Sequence, residues 1–263
     1  KIIKTQGDQI QHLSFDKMEG KGFFTKEIER ALLDNSIDLA VHSHKDLETN
    51  PPEGLSIAAV SYRENPSDLL LVNKSAYDPN QMFQLKENPI IGTSSARRKS
   101  QVIHFRNDAQ IKDLRGNVPT RIDKLRQGQY DASLLATAGV SRLNIDLSEF
   151  HVVELDPTLF IPAPAQGVLG LQIRSNDKEL KEILGHLNHE EVEKCIKIER
   201  KVLNLMDGGC QLPLGVYCPD FKNIYVAYST DWQTGAVFKT YKIKENQDVI
   251  ASSITQDLKN LTA

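Results

Sequence analysis

Alternation constrains this chain most. Through its first two thirds, short β-rich runs take turns with helical patterns. "GFFTKEIERALLDNS" places Phe24, Ile28, Ala31 and Leu32 on one helical face. "IDLAVHS", "GLSIAAVS", "SDLLLVN" and "NPIIGTSS" read as strands. "ARRKSQVIHFR" then reads as a helix, "AQIKDL" as a strand, "VPTRIDKLRQGQ" as a helix and "DASLLAT" as a strand. Pro119 falls in a first helical turn, where a missing N–H does no harm. Such β-α-β alternation predicts largely parallel sheets with helices on both faces.

Two stretches interrupt it. "SYRENPSD" (61–68) and "PTLFIPAPAQG" (157–167) are polar or proline-rich breaks between strand-like runs. A chain that leaves one domain and returns needs two such crossings. After residue 187 the pattern changes. Val192, Cys195, Ile196, Val202, Leu203 and Met206 form a helical stripe, so Cys195 reads as a core thiol. "LGVYCPD", "NIYVAYST" and "AVFKTYKIK" read as antiparallel strands, followed by a helix near 247–260. The expected fold is α/β: two lobes of mostly parallel sheet plus a small α+β C-terminal domain.

Bulk properties exclude several classes. A chain of 263 residues suits two or three domains. Its net charge of -3 offers nucleic acid no global basic field. Three cysteines without a C-x-x-C argue against a disulfide framework and a zinc knuckle. With no long apolar run and no signal peptide, the expectation is a cytoplasmic protein without a membrane span. The sequence begins with Lys rather than Met, which leaves room for residues upstream.

Five constellations can carry chemistry. In "VHSHKDLE" a buried strand ends in His42, Ser43, His44, Lys45 and Asp46, where open α/β sheets bind ligands. Alternation places His42, His44 and Asp46 on one side, which leaves open a metal site or a solvated strand end. In "IGTSSARRKSQ" a strand runs into Thr93, Ser94 and Ser95, then Arg97 and Arg98 open a helix. This reads either as an anion site or as a well-capped helix with solvated arginines. In "LRGNVPTRIDKL" Arg115 ends a strand and Arg121 follows inside a helix, a second anion site of the same design. In "PAPAQGVLGLQ" Gln166 and Gly167 follow the proline-rich crossing, as a hinge or as a ligand contact. In "DGGCQLPLG" Gly208 and Gly209 end a helix, with a glycine expected in the left-handed position. Cys210 follows with no base nearby, so by local signals it reads as a structural thiol.

Taken in order, "VHSHKDLE", "IGTSSARRKSQ", "LRGNVPTRIDKL", "DASLLATAGVSRL", "PAPAQGVLGLQ" and "ERKVLNLMDGGCQLPLGVY" resemble the signature blocks of the hydroxymethylbilane synthase, or porphobilinogen deaminase, family. The resemblance runs from about Lys4 to Tyr217. It implies an enzyme that joins four porphobilinogen molecules head to tail, releasing ammonia, in haem biosynthesis. It implies a dipyrromethane cofactor, held by a thioether to Cys210. It implies two periplasmic-binding-protein-like lobes: domain 1 at 1–62 and 165–187, domain 2 at 63–164, and domain 3 at 188–263.

The resemblance makes Asp46 the catalytic carboxylate. Ser43, Lys45, Thr93, Ser95, Arg97, Arg98, Arg115, Arg121 and Gln166 would join Asp46 and Cys210 around the cofactor. Lys21 and Phe24 would lie on a cleft loop, no metal is required, and a monomer is expected. The sequence departs at His44, usually apolar, at Ala96, usually Leu, and at "PAPAQG", usually V-G-Q-G. Family members also carry an R-x-S-x-L-A-x-x-Q motif before K-T-x-G-D. Here the sequence opens almost at Lys4–Asp8, so domain 1 is expected to lack a strand and a helix. Two rival readings are a non-catalytic carboxylate-binding protein and an impaired synthase.

Overall fold

The structure, a computed structural model, describes Ile3, Thr5 and residues 25–209 and 211–261. Helix α1 (Lys26–Leu33) seals Leu32 against Ala40 and Leu55. It leads to β1 (Ala40–Ser43), a 3-10 turn (His44–Asp46) and β2 (Leu55–Val60). A first crossing, residues 61–67, delivers β3 (Asp68–Val72), which is buried throughout. There follow β4 (Ile90–Gly92), α2 (Ala96–Phe105), β5 (Gln110–Lys112), α3 (Val118–Arg126), β6 (Ala132–Ala136), α4 (Thr137–Leu143) and β7 (His151–Leu155). A second crossing, 156–168, returns the chain to β8 (Leu169–Arg174).

These strands form two sheets, ordered β1-β8-β2 and β5-β4-β6-β3-β7. Strands β1 and β2 both pair antiparallel with β8, so they run the same way. In the larger sheet β4 pairs parallel with β5 and β6, and only β3 runs against its neighbours. Four of the five strands of the larger sheet run the same way, as expected, whereas in the smaller sheet the reversed strand is central and makes both pairings antiparallel. The two reversed strands are the two that follow a crossing. A strand entering from the other lobe starts at the cleft, whereas its neighbours end there.

The crossings run side by side. Ser61 N–H donates to Leu169 O at 3.0 Å and Glu64 N–H to Gly167 O at 3.1 Å. Gly167 has φ +90°, and a Cβ there would stand 2.3 Å from Glu64 O. Only glycine tolerates both conditions.

Helix α5 (Lys178–Gly185) packs back on β2 and β8 through Leu180 and Leu184, and the C-terminal part holds α6 (Glu190–Leu205), a sheet ordered β11-β10-β9 and α7 (Gln247–Lys259). Its strands are β9 (Leu214–Tyr217), β10 (Asn223–Tyr228) and β11 (Val237–Lys242), all antiparallel as expected. Cys195, Ile198, Val202, Val216, Cys218, Ile254 and Leu258 fill its core. The buried Glu199 ties this part to the crossings. Its carboxylate accepts from Arg63 Nη1 at 2.6 Å and Nη2 at 3.1 Å, and from the N–H groups of Ala165 and Cys218. Among the described residues no helix is long and apolar enough to cross a membrane.

Candidate active site

Strand β1 stops at Ser43 because the chain tightens into the 3-10 turn, which presents Lys45 and Asp46 beyond the strand's carboxyl end. Ser43 and Asp46 are exposed and Lys45 is half-buried. The turn breaks strand alternation, so His42 and His44 part company. His42 is buried and bonds Gln172 Oε1 at 3.0 Å, and Gln172 in turn donates to Glu29. Burial holds the His42 imidazole below its ordinary range. His44 lies against Gly170 instead, and burial with the Arg200 charge brings its pKa down to about 4. The expected common face of His42, His44 and Asp46 does not form. Among the described residues no group of three His, Cys, Asp or Glu side chains could hold a metal ion.

Strands β4 and β5 bring the arginine motifs to the same end. Ser95 caps α2, its hydroxyl accepting from Arg98 N–H at 3.5 Å. Thr93 accepts from Ser95 N–H at 3.3 Å and gives its own N–H to Lys112 O at 3.0 Å. These groups close the local turn first, as in an ordinary capped helix. Arg97 and Arg98 are each only 5% exposed, not solvated. Both grip Asp68, Arg97 Nη1 at 2.8 Å and Arg98 Nη2 at 2.7 Å. Arg97 also donates to Ile161 O, and Arg98 to Leu134 O. Arg98 Nε is buried with no partner. Sequence reasoning missed Asp68; its one signal is an acid heading the apolar run "DLLLV".

Asn117 caps α3 through Thr120, and the turn before it needs Gly116 at φ +117°. Arg115 is 7% exposed, and Arg121 Nε donates to Gly116 O at 2.7 Å. Burial and the Arg98 charge bring Arg121 down to about 10, with Arg115 adding and Asp46 opposing. Lys45 is also lowered, by burial first. Asp46 and Asp68 oppose that shift, and Arg98 and Arg97 add to it. Charges from both lobes thus share one field, in which, among the described residues, Lys45, Arg97, Arg98 and Arg121 outnumber Asp46 and Asp68. Such a site recruits anions.

Gln166 sits where the lobes meet and is fully buried. Its Nε2 donates to Pro66 O at 2.7 Å and Asp68 Oδ1 at 2.9 Å, and its Oε1 accepts from Lys45 Nζ at 3.3 Å. A cavity of about 50 Å³ opens here, lined by Ser43, Lys45, Gln166 and, from α4, Arg142. Arg142 was not singled out from the sequence, although it too follows a strand end, in "LLATAGVSR". It donates to Gly167 O at 2.8 Å.

The helix ahead of Cys210 ends differently than expected. Asp207, not a glycine, takes the left-handed position, at φ +51°. Gly208 packs closely, since a Cβ there would meet the Leu212 and Leu203 methyls at 2.6 Å and 2.8 Å. Cys210, Lys21 and Phe24 lie outside the described residues.

Comparison with known proteins shows which family the chain resembles. The family described as "Porphobilinogen deaminase, dipyromethane cofactor binding domain" matches residues 1–182. A porphobilinogen deaminase of Chloroherpeton thalassium is 45% identical over 215 residues, 82% of this chain and 67% of that protein. One from Maridesulfovibrio salexigens is 45% identical over 215 residues, 82% of this chain and 68% of that protein. One from Bacillus cereus is 43% identical over 223 residues, 85% of this chain and 71% of that protein. Among solved structures, a Salmonella typhimurium periplasmic binding protein with high arginine specificity is 12% identical, with a TM-score of 0.38 over 66% of this chain and 70% of that one. At that score the likeness bears on neither fold nor site.

Proposed function

The chain belongs to the porphobilinogen deaminase family, and from that premise we propose that it condenses four porphobilinogen molecules head to tail, with release of ammonia, to form hydroxymethylbilane. The observation that carries this reading is the cation cluster of Lys45, Arg98, Arg115 and Arg121 about Asp46. Each porphobilinogen brings an acetate and a propionate, so a growing oligopyrrole is a polyanion. Guanidinium groups are suited to such carboxylates.

The residues present fit a dipyrromethane cofactor. The orphaned Arg98 Nε and the lowered Lys45 and Arg121 all call for added negative charge. When bound, the cofactor supplies the primer that the chain extends and several of the carboxylates. Ser43, Lys45, Asp46, Thr93, Ser95, Arg98, Arg115, Arg121 and Gln166 would hold it. Arg97, whose Nη1 is held by Asp68 and Ile161 O, would contribute by holding its neighbours in place.

We assign the covalent tether to Cys210. Cys195 is 6% exposed and Cys218 fully buried, so neither accepts a bulky group without unpacking the C-terminal core. Asp46, at the mouth of the cleft, is the acid–base residue. Its carboxylate would accept from pyrrole N–H groups and stabilise the positive charge that develops on substrate as its C–N bond breaks. Lys21 and Phe24 would belong to a loop over the cleft. The three sheets support the domain limits of 1–62 with 165–187, 63–164 and 188–263. We take the enzyme to act as a cytoplasmic monomer.

Intact-mass analysis after incubation with porphobilinogen tests the assignment. Wild type should gain the mass of two linked pyrrole units and Cys210→Ser should not. An unmodified wild type defeats the tether, and absence of turnover defeats the activity.

A further inference from the structure

A carboxylate with no solvent contact is costly unless it is paired and hydrogen-bonded. Asp68, at the head of β3, is 0% exposed and meets that demand from three directions. Arg97 Nη1 reaches Oδ2 at 2.8 Å, while Arg98 Nη2 at 2.7 Å and Gln166 Nε2 at 2.9 Å share Oδ1. The line continues, because Gln166 Oε1 accepts from Lys45 Nζ at 3.3 Å. An unbroken path therefore runs from the arginines of α2, through Asp68 and Gln166, to the residue before Asp46. Its members come from the larger sheet, the second crossing and the turn after β1. One guanidinium would serve a carboxylate that merely anchored β3. Here two adjacent guanidiniums converge on it, and one keeps an unpartnered donor.

We propose that Asp68 is a positioning residue: it fixes the Arg98 guanidinium and, through Gln166, the Lys45 ammonium at a set separation across the cleft, and so sets how a ligand's carboxylates lie relative to Asp46. The proposal rests on the cleft being the oligopyrrole site. The geometry has an electrostatic counterpart. Lys45 faces Asp46, Asp68, Arg97 and Arg98, with Arg142 lining the same cavity. Of these, Asp68 and Asp46 hold its proton on, so loss of the Asp68 charge makes Lys45 deprotonate at lower pH.

Two variants of the full chain, Asp68→Asn and Asp68→Glu, separate positioning from bulk stabilisation. The first readout needs no turnover: ¹³C NMR titration of lysine Cε, with the Lys45 resonance identified by its loss in Lys45→Met. Asp68→Asn should lower the Lys45 midpoint by about one pH unit, the smaller end of the effect of a nearby opposite charge. Asp68→Glu should return it toward wild type. The second readout is kinetic. Asp68→Asn should raise KM about 10-fold with a smaller change in kcat, and the alkaline limb of kcat/KM should move to lower pH. A folded Asp68→Asn with an unmoved Lys45 midpoint overturns the proposal. If Asp68→Asn does not fold, Gln166→Met cuts the line while leaving both ion pairs. It should raise KM similarly, and an unchanged KM there overturns the proposal. A wild type without turnover would instead defeat the functional reading, and the Lys45 titration would still decide the role of Asp68.

Discussion

Replacing Glu199 by glutamine should loosen the molecule where the two crossings meet the C-terminal part. The carboxylate is fully buried, and its partner Arg63 has an 11% exposed side chain. Oε1 accepts from Arg63 Nη1 and Cys218 N–H, and Oε2 from Arg63 Nη2 and Ala165 N–H. Glutamine has one oxygen, so in either orientation its amide NH₂ faces one guanidinium N–H and one backbone N–H. Two accepted bonds are lost, and the buried Arg63 charge stands uncompensated. Breaking a buried pair in this way costs about 3–5 kcal/mol. Ala165 adds a local effect. It is held at φ +64°, a left-handed conformation that strains a residue with a Cβ. Without Glu199 to hold its N–H, Ala165 can relax and drag Gln166 out of register. The assay is urea unfolding followed by tryptophan fluorescence, compared by midpoint because a multidomain chain need not unfold in two states. A midpoint drop of about 1 M or more is expected for a urea slope near 3 kcal/mol/M. The double variant Arg63→Met/Glu199→Met should lose less than Glu199→Gln, because no charge is stranded. A Glu199→Gln midpoint within about 0.3 M of wild type would refute the reasoning.

Other outcomes follow from the same geometry. Gly167→Ala should cost about 3 kcal/mol or more, from a positive φ combined with a 2.3 Å approach to Glu64 O, and an unchanged unfolding midpoint would contradict it. His44 has a folded pKa of about 4 against an ordinary 6.5, so the unfolded chain takes up its proton first as pH falls. Its contribution is present above pH 6.5 and is lost between 6.5 and 4. His44→Leu should therefore gain up to ~3 kcal/mol over wild type across that window, measured as the pH dependence of the unfolding midpoint. A constant difference between the two proteins from pH 7 to 4 would refute it. Asp46→Ala should fold normally and bind porphobilinogen, yet lose about 10²-fold or more in kcat. Near-normal turnover would remove Asp46 from the mechanism.

Much of this architecture was legible because each element carries its own local signal. The stripe through Cys195 and Val202 foretold α6, and Pro119 marked the first turn of α3. What escaped depends on partners distant in sequence. Periodicity carries no direction, so the reversal of β3 and β8 could be reached only through the crossings. His42 and His44 looked coplanar because alternation was extended one residue past Ser43, where the 3-10 turn begins. The left-handed position went to Asp207, and Gly208 packs instead against the Leu203 and Leu212 side chains. Arg97 and Arg98 looked like free clamps because Asp68, about thirty positions upstream, gives no local sign of pairing with them.

That last point changes how the cleft selects its ligand. If both arginines stood free, the site would be a diffuse basic patch, open to any polyanion and strongly screened by salt. With Arg97 and Arg98 committed to Asp68, the cations that remain are placed rather than merely present. Arg98 keeps one buried donor, Arg121 is tied back to Gly116 O, and Lys45 is held by Gln166. Among the described residues Lys45, Arg97, Arg98 and Arg121 outnumber Asp46 and Asp68, an excess of two positive charges in a partly desolvated space. A ligand with a single carboxylate cannot neutralise that excess. A pair of linked pyrroles, each bearing an acetate and a propionate, brings four carboxylates and does. Because the cations are buried, this preference should weaken little with added salt, unlike a surface patch. Measuring KM for porphobilinogen between 0.05 and 0.5 M salt checks it: a change under about 3-fold is expected, whereas a fall in affinity of 10-fold or more would assign the recognition to exposed charge instead.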